Sequence, residues 1–163
     1  MIDFWKNTIW QQCGASIDML ENAIVACPDE LWDQDSKFWY IAYHTLFFLD
    51  YHSAIDAANF HPPEPFTLSE MDPSGLMPDR TYTKAELLTY LQHGRSKCRK
   101  VTDQLTDESA QIFVANSYKK DYSIAEILLN TVRHVQHHTA QLNLLLRQNG
   151  YEAPGWVSRA KSN

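Results

Sequence analysis

The chain has 163 residues, 44% hydrophobic and 12% aromatic, which excludes a disordered chain and supplies a substantial core for one domain spanning 1–163. A formal charge of −6 argues against a nucleic-acid surface, whose affinity comes mainly from Lys and Arg on phosphates. Cys13, Cys27 and Cys98 are odd in number and widely spaced, so they offer neither a disulfide framework nor a thiolate metal site, and they fit a reducing compartment.

The first element is a helix over Ile2 to about Ala26, with Phe4, Trp5, Ile9, Ile17, Leu20 and Ile24 recurring at helical spacing. Cys27-Pro28 ends it, because the residue before proline is pushed out of helical geometry. Asp29 to Trp32 is a single short turn. Asp35 or Ser36 then caps a second long helix running to about Asn59. Its inward stripe holds Tyr40, Ile41, His44, Phe47, Phe48, Tyr51 and Ile55, with His44 at the centre and His52 near the edge.

Phe60 to Tyr82 carries Pro62, Pro63, Pro65, Pro73, Gly75 and Pro78, and shows neither helix nor strand period. A connection of this length in a compact domain is usually a lid or a crossover. In a four-helix bundle it can run back along the whole bundle and leave helices two and three parallel. Thr83 with Glu86 forms a capping box that opens a third long helix through Leu87, Leu88, Leu91, Cys98, Val101 and Leu105. The basic cluster Arg95, Lys97, Arg99 and Lys100 reads as a solvated face of that helix. Thr106 to Tyr122 is a looser link with a short helical turn at Ser109 to Val114. The fold class expected is therefore all-α.

The fourth long helix, Ser123 to Gly150, is marked at both ends. Ser123 and Glu126 form a capping box, and Gly150 stands where a left-handed residue closes a helix. Ile124, Ile127, Leu128, Thr131, Val135, Leu142, Leu145 and Leu146 draw one apolar stripe. At about 100° per residue, His138 falls inside that stripe, His134 on its edge, and His137 on the opposite side. The tail with Pro154, Gly155 and Trp156 cannot extend the helix and is expected to fold back over the body. The N-terminus lacks a signal pattern and the longest apolar run, Phe38 to Leu49, is too short to span a bilayer, so a cytoplasmic protein without membrane contact is expected.

A single inward histidine is usually a core residue satisfied by carbonyls or hydroxyls. Three facing one interior are a heavier burden, since each buried imidazole without a partner costs about a few kcal/mol. A divalent ion removes that burden by accepting one nitrogen lone pair from each ring. Spacing i, i+4 puts His134 and His138 on one helical face, one turn apart. The remaining histidines, His61, His93 and His137, belong at the surface, with His52 a possible extra neighbour of the set.

With its inward His44 and the segment His134-x-x-x-His138-x-x-Gln141 running into HHTAQLNLLLRQNG, the chain resembles the DinB/YfiT-like superfamily along its whole length. The usual segment has Arg-Gly-Gln after the second histidine, where this chain has Thr139-Ala140-Gln141. The resemblance implies a four-helix bundle with an up-down-down-up path, often a homodimer. It also implies one divalent metal ion (nickel, zinc or iron) held by His44, His134 and His138.

Three nitrogen ligands leave a position open for water or substrate, the arrangement of a catalytic metal. Such an ion can acidify a water for hydrolysis or a low-molecular-weight thiol for attack on an electrophile. Relatives that are thiol S-transferases or a thiol-dependent isomerase favour the second, with a small molecule as substrate. A binding module without catalysis stays open, as does a stress-associated dimer whose site performs no reaction. Candidate walls or supports of the site are Tyr40, Phe47, Phe48, Tyr51, His52 and Gln141, though plain core packing also accounts for the aromatics.

Overall fold

The computed structural model describes residues 2–54, 57–115 and 121–161. Within them the chain is mostly helical, with helices α1 (Ile2–Ala26), α2 (Asp29–Trp32), α3 (Phe38–His52), α4 (Lys84–Asp103), α5 (Asp107–Ala110) and α6 (Ile124–Gln148). Four of these are long, as an all-α chain requires. Each of α4 and α6 packs against both α1 and α3. The core between them is filled by Ile17, Leu20, Ile24, Leu46, Phe47, Leu87, Leu91, Val135, Leu142 and Leu146, all fully buried or nearly so.

Contacts between the long helices follow a definite order. Between α1 and α4, Cys13 faces Cys98, Asp18 faces Arg95 and Glu21 faces Gln92, so one number falls as the other rises. Between α3 and the start of α4 the numbers rise together: Tyr43 packs on Tyr82, and Leu49 packs on Gly94. Between α3 and α6 they oppose again, with His44 beside His138 and His52 beside His134. Gly94 has a packing reason, since a Cβ there would lie 2.9 Å from Leu49 Cδ2.

Both capping boxes form at the expected residues, Thr83 with Glu86 and Ser123 with Glu126. At the far end of α6, Gly150 takes φ +82°, the Gly150 N–H donates to Arg147 O and the Tyr151 N–H to Leu146 O. That pair of bonds is the Schellman closure, which satisfies carbonyls the helix end would leave bare. The tail folds back as expected, with the Ala160 N–H donating to Gln11 O and the Lys161 N–H to Asp18 Oδ2 on α1.

Several expectations need correction. Neither Asp35 nor Ser36 caps α3: Lys37, in a left-handed conformation at φ 49°, holds that place without a side-chain hydrogen bond. The helix also ends at His52 rather than near Asn59, with a separate 3₁₀ turn at Ala57–Asn59, and Ile55 lies outside the described residues. The inner face of α3 is broader than one stripe. Phe47 is fully buried as expected, and Phe38, Ala42, Tyr43, Leu46 and Leu49 are buried as deeply, because α4, α6 and the 60–82 connection cover the helix from three sides. In the 106–122 link the helical turn comes at Asp107–Ala110, where Thr106 caps it, and a two-stranded antiparallel hairpin, β1 (Phe113–Ala115) with β2 (Asp121–Ser123), follows.

The basic cluster on α4 is only partly solvated. Arg95 turns inward to Asp18 and Glu21, and Lys97 turns to Asp50, whose carboxylate is fully buried. A buried carboxylate needs a cation, and the sequence period of α4 alone does not reveal which partners wait on α1 and α3. Arg99 pairs with Asp103 and lies over the Trp10 ring. Cys13 and Cys98, far apart in sequence, meet as free thiols with sulfurs 2.8 Å apart in the α1–α4 contact.

Candidate metal centre

His44 comes from the middle of α3, and His134 and His138 from successive turns of α6. One ring nitrogen from each lies within 4.8 Å of the others. Two metal–imidazole bonds of ~2 Å span at most ~4 Å, so a shared ion would draw the rings slightly closer. The ring centroids are 4.7 Å apart for His44 and His138, 5.3 Å for His44 and His134, and 4.5 Å for His134 and His138. All three residues are half-buried, so the cluster sits at the margin of the core rather than inside it. The depth of the α6 stripe is taken instead by Leu128, Thr131, Val135, Thr139, Leu142 and Leu146. His138 is therefore not centred in the stripe, and His137 is exposed as expected.

Local hydrogen bonds orient two of the rings. His44 Nδ1 lies 2.5 Å from Glu70 Oε2, and His138 Nδ1 lies 2.7 Å from Gln141 Oε1. A carboxylate oxygen and an amide oxygen accept here, so each Nδ1 carries a hydrogen and Nε2 is the nitrogen left free for another partner. His134 Nδ1 is buried without any partner. Burial, then the nearby His138 and His44, push the His134 pKa down to about 3, and burial lowers that of His138. Burial thus favours in His134 and His138 the neutral form that binds a cation. An orphaned buried nitrogen, two oriented neighbours and three converging rings fit a divalent ion, and the three histidines are positioned to hold one.

Around this set the structure sorts the other expected residues. Phe48 lies against both His44 and His134, with centroids 4.9 and 5.3 Å away, and forms a wall. Tyr40 stands 6.5 Å from His44, its hydroxyl pKa pushed up to about 12 by burial and then by the Glu70 charge. His52 stands 5.9 Å from His134, its Nδ1 also without a partner and its pKa pushed down to about 4 by burial. Phe47 and Tyr51 sit farther back, both against Phe60. His93 is half-exposed and approaches the buried Asp50, while His61 is exposed.

Glu70 escaped the sequence reading. It lies on a 3₁₀ turn, Ser69–Met71, inside the irregular connection. No period marks it among Glu64, Asp72 and Asp79 nearby, and only the docking of the connection onto α3 brings it to His44.

A comparison with protein-family models matches the chain to the DinB family over residues 8–162. The chain belongs to the DinB family. Neither a curated protein nor a solved structure gives a significant match. For this DinB-family chain, the match covers all three clustered histidines and both supporting residues, Glu70 and Gln141. Among the described residues, no helix is long and apolar enough to cross a membrane.

Proposed function

We propose that this protein is a metal-dependent enzyme, a thiol S-transferase or a hydrolase acting on a small molecule, with His44, His134 and His138 as the ligands of one divalent ion. The observation that carries the reading is the convergence of three imidazoles, one ring nitrogen from each within 4.8 Å of the others, at a half-buried position. A structural ion is normally closed off by four protein ligands, whereas three leave an open place for an exchangeable partner. When bound, a divalent ion supplies Lewis acidity toward a water or a thiol, and nickel, zinc and iron all suit imidazole. The protein's share is to bring three imidazole nitrogens together, to orient two of the rings through Glu70 and Gln141, and to shield one side with Phe48. An open, shallow groove of about 700 Å³ runs along the outer side of α6 past Asn130, Arg133, His134 and His137, touching His134 alone of the three ligands.

The finer architecture is part of the same proposal. A four-helix bundle with an up-down-down-up path is supported by the opposed contacts of α1 with α4 and of α3 with α6, and by the matched order of α3 and α4. The 60–82 connection is then the crossover. A homodimer and a cytoplasmic location rest on the sequence reading alone.

The test is a screen of metal-loaded protein against cellular thiols with a generic electrophile, run beside a generic ester. Thiol-dependent turnover supports the transferase and ester cleavage the hydrolase. Silence in both, with metal bound, would replace the enzyme by a metal- or ligand-binding module.

A further inference from the structure

We propose that Glu70 is a positioning residue for the three-histidine site, holding His44 with its Nε2 toward the other two rings and placing a buried negative charge beside the cation. The proposal rests on the metal reading above and deepens it. Its ground is geometric. The Glu70 side chain is 4% exposed, and its Oε2 takes the His44 Nδ1–H at 2.5 Å.

The carboxylate is held in place by its own turn. Tyr43, the neighbour of His44 on α3, donates its hydroxyl to Thr67 O at 3.0 Å and lies 3.3 Å from Ser69 Oγ. Thr67 Oγ1 donates to Ser69 Oγ, and the turn closes with the Met71 N–H on Leu68 O and the Asp72 N–H on Ser69 O. Two adjacent residues of α3 therefore grip one stretch of the connection, Tyr43 at Thr67 and Ser69, His44 at Glu70. Phe60, Phe66 and Tyr82 anchor the connection in the core, while much of the chain between them is exposed. The Thr67–Asp72 turn is thus tied to α3 at three points, which places the carboxylate at His44.

The other carboxylate oxygen explains why a charge sits there. Glu70 Oε1 is buried without a well-formed hydrogen bond, the Tyr40 hydroxyl being the polar neighbour of the carboxylate. Leaving a buried carboxylate poorly paired is costly. Imidazole nitrogens donate lone pairs to a divalent ion but bring no negative charge to offset it. Each charge offsets the other, and a carboxylate on the far nitrogen of a ligand imidazole also raises its basicity.

The experiment titrates Co²⁺ into metal-free full-length protein, following the visible d–d absorption and competing with a chromophoric chelator. Wild type should bind, and Glu70→Gln, which keeps an acceptor oxygen but removes the charge, should bind about 10-fold more weakly with a shifted band. Glu70→Ala, losing both, should weaken binding by about 100-fold. Wild-type affinity and an unshifted band in Glu70→Gln would overturn the role of Glu70 and leave the histidine site standing. Failure of the wild type to bind Co²⁺ would overturn both. Circular dichroism of the metal-free variants guards against misfolding, and Glu70→Gln decides the matter if Glu70→Ala does not fold.

Discussion

His138 donates from Nδ1 to Gln141 Oε1 at 2.7 Å, three residues on along the same helix. Because Gln141 is exposed, this bond adds little to folding, and its effect is on the ring it orients. Gln141→Ala should leave thermal stability within about 0.5 kcal/mol of wild type while weakening Zn²⁺ binding about 10-fold in chelator competition. Gln141→Glu, which keeps an acceptor, should restore binding. Unchanged affinity in Gln141→Ala would leave Gln141 as an ordinary surface residue.

Asp50 is fully buried and takes hydrogen bonds from Tyr90 and Lys97, with His93 Nε2 at 3.3 Å. Removing the cation leaves a desolvated carboxylate with only partial compensation. Lys97→Met should cost about 3 kcal/mol in urea unfolding, and the double change Asp50→Asn with Lys97→Met should recover part of it. A loss below about 1 kcal/mol would place Lys97 among the exposed ion pairs that contribute little.

The neutral state of His52 makes stability depend on pH. Burial pushes its pKa down to about 4, whereas an unfolded imidazole titrates near ~6.5. Below ~6.5 the unfolded chain takes up a proton that the folded chain refuses until about pH 4, so stability falls as pH drops through that window and is flat above it. For metal-free protein this group should remove about 2 kcal/mol between pH 7 and pH 5. His52→Leu, beside Ile124, Ile127 and Leu128, should flatten the profile by that amount relative to wild type. Parallel profiles would show that His52 is protonated alike in both states.

Those parts of the fold fixed by local chemistry were legible in the chain. The Ser123–Glu126 and Thr83–Glu86 boxes and the Gly150 closure need only neighbours in sequence, and each formed where expected. His134 and His138 share a face for the same reason. What depended on distant partners was not legible. Lys97 looked solvated until Asp50 of α3 stood opposite, the early end of α3 followed no breaker of helical period, and Glu70 reached His44 across 26 residues of chain. The hairpin at Phe113–Ala115 and Asp121–Ser123 pairs strands too short for alternation to register.

Elemental analysis of the purified protein tests the central claim most directly, set beside variants in which His44, His134 or His138 is changed singly to Ala. Wild type should carry about one divalent ion per chain, and each single change should reduce it to a small fraction. Full metal content in the His44→Ala protein, or none in a wild type offered nickel, zinc and iron in turn, would contradict a centre shared by α3 and α6.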